Sequence, residues 1–170
     1  MIIKTIGAVL IIGGCLGVGL LLCWNHRREE ESLKQLVHSL EWMRLELNYR
    51  MPALPVLCRD VSKVVSGTIG TLFYNLSLEL EQQITPDVCT CMNAAIHTMP
   101  KLPSSVIIHL RNLGTSLGQF DLEGQILALE AEESLCKSDL EKLVQDREGK
   151  FRNYRVLGLC AGAAMVLLFI

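Results

Sequence analysis

The chain has 170 residues, half of them hydrophobic, and a formal net charge of −2. The near-neutral balance of 16 basic and 18 acidic residues offers no electrostatic footprint for nucleic acid. Seven cysteines, an odd number without a framework of spacings, fit free thiols in a reducing compartment.

The apolar excess lies at the two ends. Thr5 to Trp24 is a run of 20 residues without a charge, about 30 Å as a helix and enough for a bilayer core. Val156 to Ile170 is a second uncharged run of 15 residues, about 22 Å by the same rise. Both are expected to be transmembrane helices, so the chain divides into a first span at 1–24, a middle domain at 25–155 and a second span at 156–170. Each span carries a pair of small residues four apart, Gly13 with Gly17 and Gly158 with Gly162, and such pairs let helices approach closely in lipid. Ten Lys and Arg flank the inner ends of the spans, against Lys4 alone outside, which places the middle domain in the cytoplasm and both termini across the membrane. Trp24 and Tyr154 fall at headgroup level. A lipoprotein anchored at Cys15 in "IGGC" is the competing reading, but the apolar run continues past it.

The middle domain reads as helices throughout, without strand-like alternation. From Glu29 to Arg50, Leu33, Leu36, Val37, Leu40, Met43 and Leu47 fall on one helical face, and Pro52 ends the pattern. A second helix is expected over Ala53–Val65 with Leu54, Leu57, Val61 and Val64 inward, broken by "SGTIG" at 66–70. A third covers Ile69–Gln82 with Leu72, Phe73, Leu76 and Leu80. "TPD" at 85–87 predicts a helix start capped by Thr85 with Pro86 first, followed by Val88, Met92, Ala95, Ile96 and Met99 inward. After "PKLPSS" a fifth helix spans Ser104–Leu113 and stops at Gly114. The longest helix runs from Leu122 to about Tyr154, with a seam of Leu122, Ile126, Leu129, Cys136, Leu140 and Leu143 that Glu133 interrupts, and Gly149 is a candidate bend. The expected fold is all-α, an antiparallel bundle of about six helices between two membrane helices.

Motifs for chemistry are missing from the sequence. Gly114 and Gly118 lack the G-K-[ST] ending and preceding strand of a phosphate loop. Cys89, Cys91 and His97 could supply metal ligands, but residues two apart on a helix point about 200° apart. His26, His38, His97 and His109 are scattered without an evident acid partner, and read as surface or helix residues. No cofactor is expected. The connector "NLGTSLGQFDLEGQ", Asn112 to Gln125, stands out instead. Asp121 can cap the long helix, with Glu123 near its positive end. Gly124 inside a first helical turn costs about 1 kcal/mol against alanine, which calls for a close neighbour.

Several stretches resemble the stage III sporulation protein AB family of endospore-forming bacteria, over nearly the whole chain. They are the Gly-rich "IGAVLIIGGCLGVGLL", then "LKQLVHSLEWMRLELNYRMPALPVL" with Glu46, Leu47, Asn48 and Tyr49 at its turn, and the closing "YRVLGLCAGAAMVLLFI". The most specific match is "LGQFDLEGQ", Leu117 to Gln125, with Phe120 where that family usually has Ser. The resemblance implies a non-catalytic helical scaffold in the mother-cell membrane facing the forespore. It would be part of a secretion-like complex, similar to the cytoplasmic domains of the type II secretion and type IV pilus platform protein. Implied partners are an AA-like ATPase and an AE-like multi-span protein, with further copies of the chain as another. Partner contact is expected at Gly114, Gly118, Asp121, Glu123, Gly124 and Gln125. A membrane-tethered enzyme or metal protein using Cys89, Cys91 and His97 is the rival reading.

Overall fold

The computed structural model describes residues 27–82, 87–99, 101–118 and 121–169, with side chains described through residue 145. Helix α1 covers residues 27–50. It is followed by α2 (Leu54–Val64), α3 (Gly67–Gln82), α4 (Val88–His97), α5 (Ser104–Ser116) and α6 (Leu122–Phe169). Among the described residues there is no strand.

Periodicity decided most of the core. All six apolar residues expected on the inner face of α1 are buried, as are Leu72, Phe73, Leu76 and Leu80 of α3. On α2 the inner face is Leu57, Cys58 and Val61 with Val65 just beyond. Val64, expected inward, is 46% exposed, because the chain leaves the helix at Val65 in an extended conformation and turns that side chain in instead. α4 buries Val88, Cys91, Met92, Ala95 and Ile96. α6 contributes Leu129 and Cys136 to the core, with Leu122, Ile126, Leu140 and Leu143 packed against its edge.

Neighbours in sequence are neighbours in space: α2 packs on α3, α3 on α4, α4 on α5 and α5 on α6. α6 also returns against α1. Lys137 meets Glu41 at 2.6 Å and Glu133 meets Arg44 at 3.1 Å, so numbers rise along one helix as they fall along the other. These two helices are antiparallel and close the bundle.

α1 ends at residue 50, as expected, two before Pro52, and Met51 takes a positive φ of 47°. Other helix boundaries differ from expectation. "SGTIG" interrupts the chain only at Ser66, since α3 already starts at Gly67. Asp87, not Thr85, caps α4: its carboxylate accepts from the Thr90 backbone N–H at 3.1 Å and from the Thr90 hydroxyl. Thr85 and Pro86 lie outside the described residues. α6 passes through Gly149 without interruption.

Among the described residues, no helix is long and apolar enough to cross a membrane. The expected first span, with Gly13 and Gly17, lies outside those residues. The expected second span is the end of α6, helical to Phe169. The shortfall there is one of length, since 15 uncharged residues rise about 22 Å against a hydrocarbon core of about 30 Å.

Candidate functional site

The α5–α6 connector is built from three local devices. α5 does not stop at Gly114 but continues to Ser116, with Leu117 as its C-cap. The reversal falls at Gly118, whose φ of +81° is a conformation that side chains with a Cβ rarely adopt. Asp121 then caps α6, its carboxylate accepting from the Gly124 N–H at 3.0 Å while its carbonyl accepts from the Gln125 N–H at 2.9 Å. The N–H of Gly124 is therefore one of the helix-start donors that the cap satisfies. Glu123 is exposed in the first turn, where the helix dipole favours an acid.

Gly114 is buried and faces α4. A Cβ built on it would stand 2.9 Å from the Met92 Cβ and 3.6 Å from the Cys89 Cα. One turn on, a Cβ on Gly118 would meet a Val88 methyl at 2.7 Å. The two glycines thus let α4 and α5 run closely antiparallel, with Val88 against 118 and Met92 against 114. This corrects Gly114 both as a helix stop and as an outward contact: it is spent inside the bundle. Gly118, Asp121 and Glu123 are exposed, and Gly124 and Gln125 are half-buried, so those five keep a face toward solvent. Gly158 and Gly162 lie on α6 beyond the residues whose side chains are described.

Two polar networks join α6 to the bundle, and sequence reasoning missed both. In the first, Glu133 is buried and takes Arg44 at 3.1 Å and Lys137 at 2.7 Å, while Lys137 also reaches Glu41. Burial disfavours the Glu133 carboxylate, but the hydrogen bonds and charges of Lys137 and Arg44 outweigh it and hold the group below the usual carboxylate range. Hydrogen bonds to Glu133 and Glu41 raise Lys137 in turn. Glu133, the apparent interruption of the seam, is its anchor to α1.

The second network centres on His109, which is buried on α5 with its Nδ1 2.7 Å from Glu132 and its Nε2 3.3 Å from Asp139. This corrects the reading of His109 as a histidine without an acid partner. A sequence signal did exist on α6. Glu132, Cys136 and Asp139 are spaced four and three apart, so they share one face, and Glu132 follows Leu129 by three on the buried seam. What the sequence could not give is the 23-residue step back to His109. Hydrogen bonding and charge from Lys142 hold Asp139 low, with a smaller contribution from His109. Burial, reinforced by the charges of Glu132 and Asp139, pushes the Cys136 thiol up to about 12.

Cys89, Cys91 and His97 do not converge. Among the described residues, the group of three His, Cys, Asp or Glu side chains that meets within ligand distance is His109, Glu132 and Cys136. Cys91 is buried in the core and Cys89 half-buried. Among the described residues every buried side-chain nitrogen and oxygen has a hydrogen-bond partner.

Comparison with known proteins agrees with this architecture. No curated protein sequence matches the chain. A solved structure of stage III sporulation protein AB is similar to it with a TM-score of 0.62 and 18% identity, over 72% of this chain and 98% of that one. At that identity the likeness is one of fold. A profile of the stage III sporulation protein AB family matches residues 4–170. With nearly the whole length matched, the chain belongs to the stage III sporulation protein AB family.

Proposed function

We propose that the chain is a membrane-anchored, non-catalytic platform of the stage III sporulation secretion-like complex. In this reading it sits in the mother-cell membrane facing the forespore and docks an AA-like cytoplasmic ATPase to membrane components such as an AE-like protein. Family membership supports the sporulation role. The observation that carries the mechanical reading is α6 itself. Its 48 residues would extend about 72 Å as one rod, starting at Leu122, passing the buried networks at Glu132 and Glu133 and ending in the uncharged C-terminal run. A rod clamped at one end by ion pairs and apolar packing transmits displacement, which is what a platform between a motor and a membrane requires. The exposed joint at Gly118, Asp121 and Glu123 marks the clamped end of that rod and is the contact surface assigned to the ATPase. The N-terminal run Thr5–Trp24 supplies the principal anchor, and the C-terminal run packs beside it or beside a partner helix through Gly158 and Gly162.

Two experiments test this reading. A reporter that works only in the cytoplasm, inserted after Arg28, is expected to be active in cells, and the chain to stay in the membrane pellet after alkaline extraction. Release into the supernatant, or activity only on export, would overturn the anchored topology. The rival enzyme reading requires Cys89 and Cys91. Replacing both with alanine is expected to leave sporulation intact, and arrest after engulfment would favour chemistry instead.

A further inference from the structure

We propose that His109, Glu132 and Cys136 form a zinc-class metal site that clamps α5 to α6, with Asp139 orienting the histidine.

Among the described residues, the buried polar or charged side chains are Ser39, Ser77, His109, Glu132 and Glu133. The two serines bond back to carbonyls of their own helices, Ser39 to Gln35 and Ser77 to Tyr74. Glu133 is matched by two cations. What remains is a carboxylate, an imidazole and, one turn along from the carboxylate, a thiol, contributed by two different helices. Their ligand atoms lie within 4.8 Å of one another and all three residues are buried.

The geometry suits a tetrahedral ion. Glu132 and Cys136 are four apart on α6 and so project from the same face, toward His109 on α5. With bonds of about 2.0 Å to nitrogen and oxygen and about 2.3 Å to sulfur, tetrahedral donors stand about 3.3 to 3.7 Å apart. The His109–Glu132 contact of 2.7 Å would open by about 0.6 Å to admit the ion. Asp139, whose side chain is 43% exposed, places a carboxylate oxygen 3.3 Å from Nε2. A carboxylate on the far ring nitrogen fixes the tautomer that leaves Nδ1 free to ligate, the usual outer-shell arrangement of a metal-bound histidine. One nitrogen, one oxygen and one sulfur donor select a borderline-soft ion over magnesium or calcium.

Charge bookkeeping agrees. Binding forms one bond each to Nδ1, a Glu132 oxygen and Sγ. It releases to solvent the thiol proton and any proton shared between Nδ1 and Glu132. The divalent ion with one thiolate and one carboxylate is then neutral, as a buried assembly needs to be. The fourth position is left to water.

The test uses the detergent-solubilised full chain, stripped with a chelator and titrated with Co(II), then competed with Zn(II). One equivalent of cobalt is expected to give thiolate-to-cobalt charge-transfer absorption that zinc abolishes. Cys136→Ser is expected to lose that absorption, while Cys89→Ser with Cys91→Ser keeps it. Asp139→Asn is expected to weaken binding about 10- to 100-fold without removing the band. Circular dichroism confirms the fold of each variant, and Cys136→Ala serves if the serine variant unfolds. Absence of the band in the full chain, or a band of equal intensity in the folded Cys136 variant, would overturn the site.

Discussion

Replacing Gly114 with alanine separates two physical accounts of the α4–α5 contact. In an open helix interior the change stabilises by about 1 kcal/mol, because alanine is the better helix former. Here the new methyl would sit 2.9 Å from the Met92 Cβ and 3.1 Å from its Cγ. A Cβ cannot swing aside like a side-chain tip, so the helices must part, and overpacking of this kind costs about 1 to 3 kcal/mol. The net is destabilisation of about 0 to 2 kcal/mol, rising further for Gly114→Leu. Urea unfolding of the detergent-solubilised chain, followed by helical circular dichroism, gives the difference directly. Met92→Ala alone costs about 2 to 5 kcal/mol as a cavity. Combined with Gly114→Ala it should cost less than the sum by about 1 kcal/mol, since the added methyl enters vacated space. Had Gly114 been a left-handed helix end, the cost would not grow with side-chain size and would not couple to Met92. A stabilising Gly114→Ala with no coupling to Met92 would refute the close-packing argument.

The pH dependence of stability should show Glu133. Its folded-state carboxyl titrates below the ordinary value of 4.5, so its contribution is present above that value and is lost as pH falls through the depressed range. Unfolding midpoints between about pH 6 and 3 should fall less steeply in Glu133→Gln than in the parent. Arg44→Ala should destabilise by about 1 to 3 kcal/mol at neutral pH, below the full cost of breaking a buried pair, since Lys137 remains and Arg44 is a third exposed. Asp121→Ala should cost about 1 kcal/mol by uncapping α6, whereas Asp121→Asn should recover most of it, as read from unfolding midpoints. In the native protein, Cys58 and Cys136 should resist alkylation, because both are buried and their thiols are pushed up to about 12, while half-buried Cys89 reacts first. Mass spectrometry of alkylated peptides checks the order.

What the sequence revealed follows the range of the interactions involved. The inner faces of α1 and α3 were legible because burial repeats with the helical period, and Asp121 was legible because capping is a contact within four residues. Val64 was misjudged because the final residue of a pattern depends on how the chain leaves the helix, which periodicity does not encode. Gly114 was misread for a related reason. A glycine that ends a helix and one that admits a neighbouring helix look alike in one dimension, and only Met92 on α4 distinguishes them. Glu133 looked like an interruption because its partner Arg44 lies 89 residues away. His109 looked solitary because its acids stand on another helix. For Glu133 and His109 the missing information is a long-range pairing, and a charged residue on the buried seam was the available clue that such a pairing exists.

Retention of partners by the intact platform tests the functional account most directly. The chain, tagged and purified from detergent-solubilised membranes of sporulating cells, is expected to bring with it the AA-like ATPase and the AE-like protein. Charge reversal at the exposed joint, Asp121→Lys with Glu123→Lys, should deplete the ATPase while leaving the AE-like protein bound. Recovery of neither partner with the unaltered chain would contradict the platform reading.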